Sequence, residues 1–145
     1  MAGRYGMSFA KELIEQGDYE AAVVAASRAI EEGDAGPEPL FDRATASELV
    51  EDFDAAVRDF EAAIEKNRAE KSLDPFLLDD AYFSALLAAA RRDAERDAAS
   101  GVARLERYRT VSPDGAHATD VRDWQKRLRG EMPSLLDKTK ELDAV

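Results

Sequence analysis

Apolar residues recur at intervals of three and four positions through most of the chain, and glycine and proline fall between the segments that carry this pattern. Such spacing is typical of amphipathic α-helices, which turn one face toward a core. The first predicted helix begins after Ser8, a residue type that caps helix N-termini. Its apolar face carries Phe9, Leu13 and Ile14, and Gly17 ends it.

Three more helices are predicted in the first half of the chain. The second helix begins at about Asp18 and ends at Gly33. Pro37 and Pro39 mark the start of the third, because proline is tolerated in a first helical turn, and the fourth begins at Asp52. The apolar positions of these helices are Tyr19, Ala22, Val23, Ala26 and Ile30, then Leu40, Phe41, Ala44 and Leu49, then Phe53, Ala56, Val57, Phe60 and Ile64.

The chain also contains an internal repeat with an offset of 34 residues. Residues 18–23, DYEAAV, align with residues 52–57, DFDAAV, and residues 29–31 align with residues 63–65. Seven of the 14 positions from 18 to 31 are identical in the two segments. An alanine-rich composition gives only about one or two such matches by chance, so the segments are copies of one structural unit.

A helix–turn–helix repeat of 34 residues resembles the tetratricopeptide family. The residues that carry the resemblance are the turn at 17–19, the small Ala22 and Ala56, and the small Ala29 and Ala63. The resemblance implies an all-α fold, a right-handed superhelix of antiparallel helix pairs with about seven helices, forming a single domain over residues 1–145. It divides the chain into repeat 1 at about 3–36, repeat 2 at about 37–70, an insertion at about 67–76, repeat 3 at about 77–113, and a capping helix with a tail at about 116–145.

The third repeat departs furthest from the family pattern. Pro113 stands at the family's repeat-ending proline, which aligns residues 98–108 with a second helix. That alignment places Gly101 in the small-residue position and Leu105 in a core position. The first helix of this repeat is expected over about 77–94, with its apolar side formed by Leu78, Ala81, Tyr82, Ala85 and Leu86.

The spacing between Ala56 and Gly101 is 45 residues, which leaves 11 more than the period of 34. We expect these residues around 67–76, with a turn at Asp74 and Pro75 because the residue before proline disfavours helix. Residues 119–129 predict a capping helix that covers the last repeat. Its inward positions are Val121, Trp124 and Leu128, and Leu135, Leu136 and Leu142 could form an eighth helix.

Within the second repeat, one pair of charges matches a subtype of the family. That subtype carries an arginine in the first helix of the repeat and an aspartate in the second. The resemblance therefore implies an ion pair between Arg43 and Asp59 across the two helices.

The charge of the chain narrows the choice of partners. Its 31 acidic and 20 basic residues give a net charge of −11, and residues 1–70 carry −10 of it. Nucleic acids and anionic membrane surfaces are bound through excess cations, so neither is an expected partner. With no cysteine and no hydrophobic signal region, the expected location is the cytoplasm.

The candidate chemistry is not that of an enzyme. Adjacent carboxylates such as Asp79 and Asp80 point in different directions on a helix and are expected to solvate its outer face. His117 is the only histidine of the chain and is expected at the surface or in a first helical turn. We therefore expect no catalytic residue, no cofactor and no metal site.

The resemblance implies a groove, lined by the first helix of each repeat, that binds a segment of another protein. The acidic excess favours a basic partner segment or one of mixed basic and apolar character, and the protein is then a scaffold or adaptor. For Phe41, Phe83 and Leu86, the core between helices is an equally good placement. Carried over position by position, the groove is expected at Met7, Lys11, Ile14, Phe41, Asp42, Thr45, Glu48, Leu49, Phe83, Leu86, Leu87 and Ala90.

Two alternatives remain open at the level of the sequence. The acidic repeats of one copy could meet the arginine-bearing C-terminal half of another copy, which would make a self-associating structural protein. The chain could instead be the regulator or substrate of a bacterial protein kinase, since hydroxyls such as Ser27 and Thr110 are available.

Overall fold

The computed structural model of the protein describes residues 8–131, and within that range the chain is all-helical with seven helices and no strand. The helix number confirms the sequence-based expectation. Met7 and the three leucines of the expected eighth helix lie outside the described residues. None of the described helices is both long and apolar enough to cross a membrane. The helices are α1 Phe9–Glu15, α2 Tyr19–Glu31, α3 Glu38–Leu49, α4 Phe53–Glu70, α5 Pro75–Ala94, α6 Ala98–Val111 and α7 Ala118–Leu128.

Side-chain caps begin several of these helices. The Ser8 hydroxyl accepts a hydrogen bond from the Lys11 backbone N–H at 3.1 Å, as its position before α1 predicts. Asp52 accepts from the N–H of Ala55 at 3.3 Å at the start of α4. Such caps satisfy donors that the first helical turn leaves without partners.

Packing divides the chain into two compact units, the first ending at Ala85 and the second beginning at Leu86. In the first unit, α1 packs against α2, α2 against α3 and α3 against α4, and α1 also contacts α3. Fully buried Ala22, Ala44 and Ala56 allow close approach of these helices, and fully buried Phe60 fills the space beside them.

The turns before α2 and α4 have the same backbone form. Gly17 and Glu51, which are 34 positions apart, both have a left-handed conformation, with φ of 81° and 63°. Glycine adopts this conformation without steric cost, whereas a residue with a Cβ does not. The repeat is therefore present in the backbone even where the glycine is not.

The insertion is distributed differently from the expected loop at 67–76. Helix α4 continues to Glu70 and α5 already begins at Pro75, so most of the extra residues lengthen helices. Only residues 71–74 connect the two helices. Buried Asn67 holds this connection, because its amide donates to the Leu73 carbonyl at 3.0 Å and accepts from the Leu73 N–H at 2.9 Å.

The expectation that Phe9 belongs to the core-facing side of the first helix is wrong. Phe9 is 56% exposed, and Ala10 is the buried residue of α1. Leu13 and Ile14, the other two residues of the expected apolar face, are partly buried.

The second unit contains the C-terminal part of α5 together with α6 and α7. Helix α7 packs on α6, with Val121 fully buried and Trp124 and Leu128 partly buried. Gly101 is where α6 meets α5, because a Cβ atom there would lie 2.5 Å from the Ala90 carbonyl oxygen. The small-residue position expected at Gly101 is therefore a point of close helix contact.

Candidate functional site

The candidate site in the first unit is a face of α3 with parts of α1 beside it. Phe41, Thr45 and Glu48 are spaced by four and three residues, so they share one face of α3, and each is partly buried. On α1, Lys11 is exposed and Ile14 is partly buried. These five predicted groove residues keep surface that a partner could contact, as do Leu49, Phe83 and Leu87.

Asp42 does not belong to that surface. The residue is buried, and its carboxylate accepts a hydrogen bond from the Ser8 hydroxyl at 2.8 Å. Burial raises the pKa of Asp42, while the bond from Ser8 and the nearby charge of Lys11 act in the opposite direction. Asp42 therefore ties α1 to α3, and with only 5% exposure it forms part of the wall of a groove along these helices rather than an open contact surface.

Glu48 is the acidic group of the candidate site. Its carboxylate accepts a hydrogen bond from the Ser84 hydroxyl at 3.1 Å, which joins α3 to the N-terminal part of α5. Partial burial raises the pKa of Glu48, and the bond from Ser84 lowers it by a smaller amount. A carboxylate held in this way has lost part of its hydration, so a cation from a partner would be a favourable addition.

Phe41 contributes to both the surface and the core. Its ring meets Phe60 edge to face, with the ring centroids 5.7 Å apart. Because Phe60 is fully buried, Phe41 covers the core of the α3–α4 pair with one part of its ring. Phe41 therefore combines the two placements that the sequence left open, since part of its ring lies against the core and part remains at the surface.

The remaining predicted groove residues differ in accessibility. Leu49 is exposed at the end of α3, and Phe83 and Leu87 are partly buried on α5. Leu86 and Ala90 are fully buried, so Leu86 has the core placement that the sequence left open, and the expectation that Ala90 contacts a partner is wrong. Their spacing of four residues follows the buried face of α5 rather than an open one.

Arg43 and Asp59 form the ion pair that the resemblance implies. The guanidinium donates from Nε to Asp59 Oδ2 at 2.7 Å and from Nη2 to Asp59 Oδ1 at 2.9 Å. A third donor, Nη1, reaches the Ser27 hydroxyl on α2 at 3.1 Å. One guanidinium therefore connects α2, α3 and α4, and it stiffens the helix that carries Phe41 and Glu48.

A groove along α1, α2 and the start of α3 is lined by the predicted groove residues Lys11, Phe41 and Asp42, together with α2 residues that the prediction did not include. It contains the exposed side chains of Phe9 and Val24, the latter 59% exposed, together with Ala21, Arg28 and Pro39. A signal was present in the repeat, because Val24 and Phe9 correspond at an offset of 34 to the charged Arg58 and Arg43. Where one repeat has an apolar residue at a position that is charged in the other repeat, the surfaces of the two repeats differ. The exposed apolar residue then indicates a contact surface that belongs to one repeat alone.

The buried carboxylate of Asp42 is expected to make the stability of the protein depend on pH. Since burial raises the pKa of Asp42 above the ordinary value for an aspartate, the folded state holds this proton more tightly, and stability falls as pH rises through the folded pKa. Asn in place of Asp42 keeps an acceptor for Ser8 and removes the titration. Urea unfolding at about pH 7 and pH 4 should show a smaller loss of stability with rising pH for Asp42→Asn than for the wild type.

Exposed Glu12 offers a control for that substitution. Glu12→Gln is expected to leave the dependence on pH as it is in the wild type. An equal dependence on pH in Asp42→Asn and the wild type would contradict the burial of an ionised carboxylate at this position.

Comparison with known proteins identifies no family and no structural neighbour for this chain. No protein-family model, no curated protein and no solved structure matches the chain.

Proposed function

We propose that the chain is a tetratricopeptide-like domain that binds a segment of another protein and acts as a scaffold or adaptor. The partner segment is basic or of mixed basic and apolar character. It lies along the first unit, against the α3 face of Phe41, Thr45 and Glu48 and the adjoining Lys11 and Ile14 of α1. The partly buried, acidic α3 face is the observation that carries the proposal.

The relation between the two repeats supports this proposal. Ser8 and Asp42 are 34 residues apart and hydrogen-bond to each other, so equivalent positions of consecutive first helices lie side by side. Stacked first helices are the elements that form the binding face of helical-repeat proteins. The antiparallel pairs α1–α2 and α3–α4 and the matching turns at Gly17 and Glu51 support the same architecture.

The chemistry of the α3 face supports a partner with both cationic and apolar groups. Phe41 offers an aromatic ring and Glu48 offers a carboxylate. The Thr45 hydroxyl donates a hydrogen bond to the Phe41 carbonyl at 2.9 Å. An amphipathic helix or extended segment with a lysine or arginine next to a leucine meets both requirements. The net charge of −12 on residues 1–85 attracts such a segment over a distance and is screened by salt.

Glu48→Gln is expected to weaken this binding by about tenfold, because the amide keeps the hydrogen bond with Ser84 and loses the charge. The probe is a fluorescein-labelled amphipathic peptide with leucine on one face and lysine on the other, measured by fluorescence anisotropy. Replacement of its lysines by glutamates should abolish binding. Affinity should also fall at about 1 M sodium chloride, where the Debye length is about 3 Å.

Glu20→Gln is the matched control, since Glu20 is exposed on α2, outside the α3 face, and carries the same charge. It should bind the lysine peptide as the wild type does. Equal effects of the two substitutions, or tight binding of the glutamate peptide, would contradict the assignment of the site to the α3 face.

A further inference from the structure

The second unit carries an aromatic residue with two guanidinium groups on it. Trp124 of α7 has the Arg91 guanidinium carbon 5.0 Å from its ring centre, and that of Arg127 is also 5.0 Å away. Trp124 is partly buried and Arg91 is exposed. We call these three residues the Arg–Trp–Arg surface. Tryptophan and arginine are the residue types that contribute most to the energy of protein–protein interfaces.

Among residues 8–131, the two guanidinium groups of this surface have no anionic partner. Arg127 Nε is buried and finds no hydrogen-bond acceptor among the same residues. Over residues 8–131 neither Arg91 nor Arg127 meets a carboxylate, whereas Arg104 in the same unit donates to Asp93 at 2.9 Å. Because Nε itself is buried, a carboxylate from outside the chain would meet the exposed Arg91 guanidinium and the outer part of the partly buried Arg127 side chain.

The first unit carries the complementary chemistry. A Cβ atom placed on Gly36 would lie 2.6 Å from Glu38 Oε2, 3.1 Å from Glu70 Oε2 and 3.4 Å from Asp34 Oδ1. All three carboxylates are exposed, and we call them the acidic cluster. The ammonium of Lys66, close by in sequence, donates instead to the Ala35 carbonyl at 2.9 Å.

The charge of the two units differs in sign. Residues 1–85 contain 20 acidic and 8 basic residues, a net charge of −12, and residues 86–145 contain 11 acidic and 12 basic residues, a net charge of +1. The acidic excess therefore lies in the first unit, while the second unit is nearly neutral and carries the exposed Arg91. Complementary surfaces of this kind steer encounter and fix which faces meet.

We propose that the Arg–Trp–Arg surface of one copy binds the acidic cluster of a second copy, head to tail. Arg91 and Arg127 donate to the carboxylates, and the Trp124 ring is covered by the contact. The two surfaces are different, so each copy keeps one of them free after the contact has formed. Such a contact extends into chains of copies unless it closes into a ring. This association uses neither Phe41 nor Glu48 and is independent of the peptide-binding face.

Sedimentation velocity over a range of concentrations tests this association. At low salt the wild type should sediment as species larger than a monomer, and at about 1 M sodium chloride it should be monomeric. Arg91→Gln should weaken association about tenfold. Arg122→Gln, an exposed arginine of α7 without a ring contact, should associate as the wild type does. Since Trp124 is the only tryptophan, its emission should shift with concentration in the wild type and not in Arg91→Gln.

A mixing experiment separates head-to-tail association from any other kind. Glu70→Lys should be monomeric like Arg91→Gln, while Glu15→Lys, with the same change of charge on an exposed residue of α1, should still associate. An equimolar mixture of Arg91→Gln and Glu70→Lys restores one intact pair of surfaces, so it should form a heterodimer and nothing larger. A wild type that stays monomeric at all concentrations, equal effects of Arg91→Gln and Arg122→Gln, or a mixture without heterodimer would each overturn the proposal. Circular dichroism of each variant establishes that the helices are intact.

Discussion

Asp59→Ala is expected to lower the free energy of unfolding by about 3 kcal/mol. Asp59 is only 7% exposed and receives two of the three hydrogen bonds of the Arg43 guanidinium. Removal of the carboxylate leaves a guanidinium of 27% side-chain exposure with the Ser27 hydroxyl as its remaining partner. A buried charge without its counter-charge costs about 3–5 kcal/mol, which is more than the intact pair contributes. Because Arg43 is partly exposed, we expect a loss near the lower end of that range.

The double substitution Arg43→Met with Asp59→Ala separates the cost of the orphaned charge from the value of the pair. It should recover at least half of the lost stability, because no unpaired charge remains. Urea unfolding followed by far-ultraviolet circular dichroism provides the measurement. Glu106→Ala breaks an exposed ion pair with Arg109 and should change stability by no more than about 0.5 kcal/mol. A double variant as unstable as Asp59→Ala would show that the loss comes from packing and not from the charge.

Gly101→Ala is expected to destabilise the protein by about 2 kcal/mol, although alanine is the better helix former by about 1 kcal/mol. The added Cβ would lie 2.5 Å from the Ala90 carbonyl oxygen and 2.8 Å from the Ala94 Cβ. A backbone oxygen cannot turn aside as a long side chain can, so α6 must shift away from α5. Helix propensity alone therefore predicts that Gly101→Ala stabilises the protein, whereas the close contact predicts that it destabilises it.

The measurement is urea unfolding followed by the emission of Trp124, which lies in the same unit as Gly101. Ala103→Gly, at an exposed position of α6, is the control and should cost about 1 kcal/mol through propensity alone. A more stable Gly101→Ala variant would mean that α5 and α6 do not approach as closely as described.

The helices could be predicted from the sequence because their signals are local. Ser8 and Asp52 cap helices as their positions indicate, and over residues 8–131 the spacing of apolar residues predicted the seven helices observed. The resemblance to a family subtype added a contact that no local pattern contains, since it implied the ion pair between Arg43 and Asp59.

The accessibility of individual groove residues could not be predicted in the same way. Asp42 is buried because Ser8, at the start of another helix, covers it and supplies a hydrogen bond. Leu86 and Ala90 are buried although the family pattern places them in a groove. In each case the outcome depends on which neighbour reaches the residue, and the periodicity of a single helix does not contain that information.

The left-handed turn at Glu51 has a consequence for how such hairpins can diverge. A residue with a Cβ pays about 1–2 kcal/mol for this conformation, yet the chain keeps it where the first hairpin has Gly17. The shape of the turn is therefore imposed by the packing of α3 on α4 and survives the loss of the residue best suited to it. A hairpin of this kind can therefore carry a turn residue other than glycine at a cost of about 1–2 kcal/mol, while the small, buried alanines of the paired helices hold its geometry.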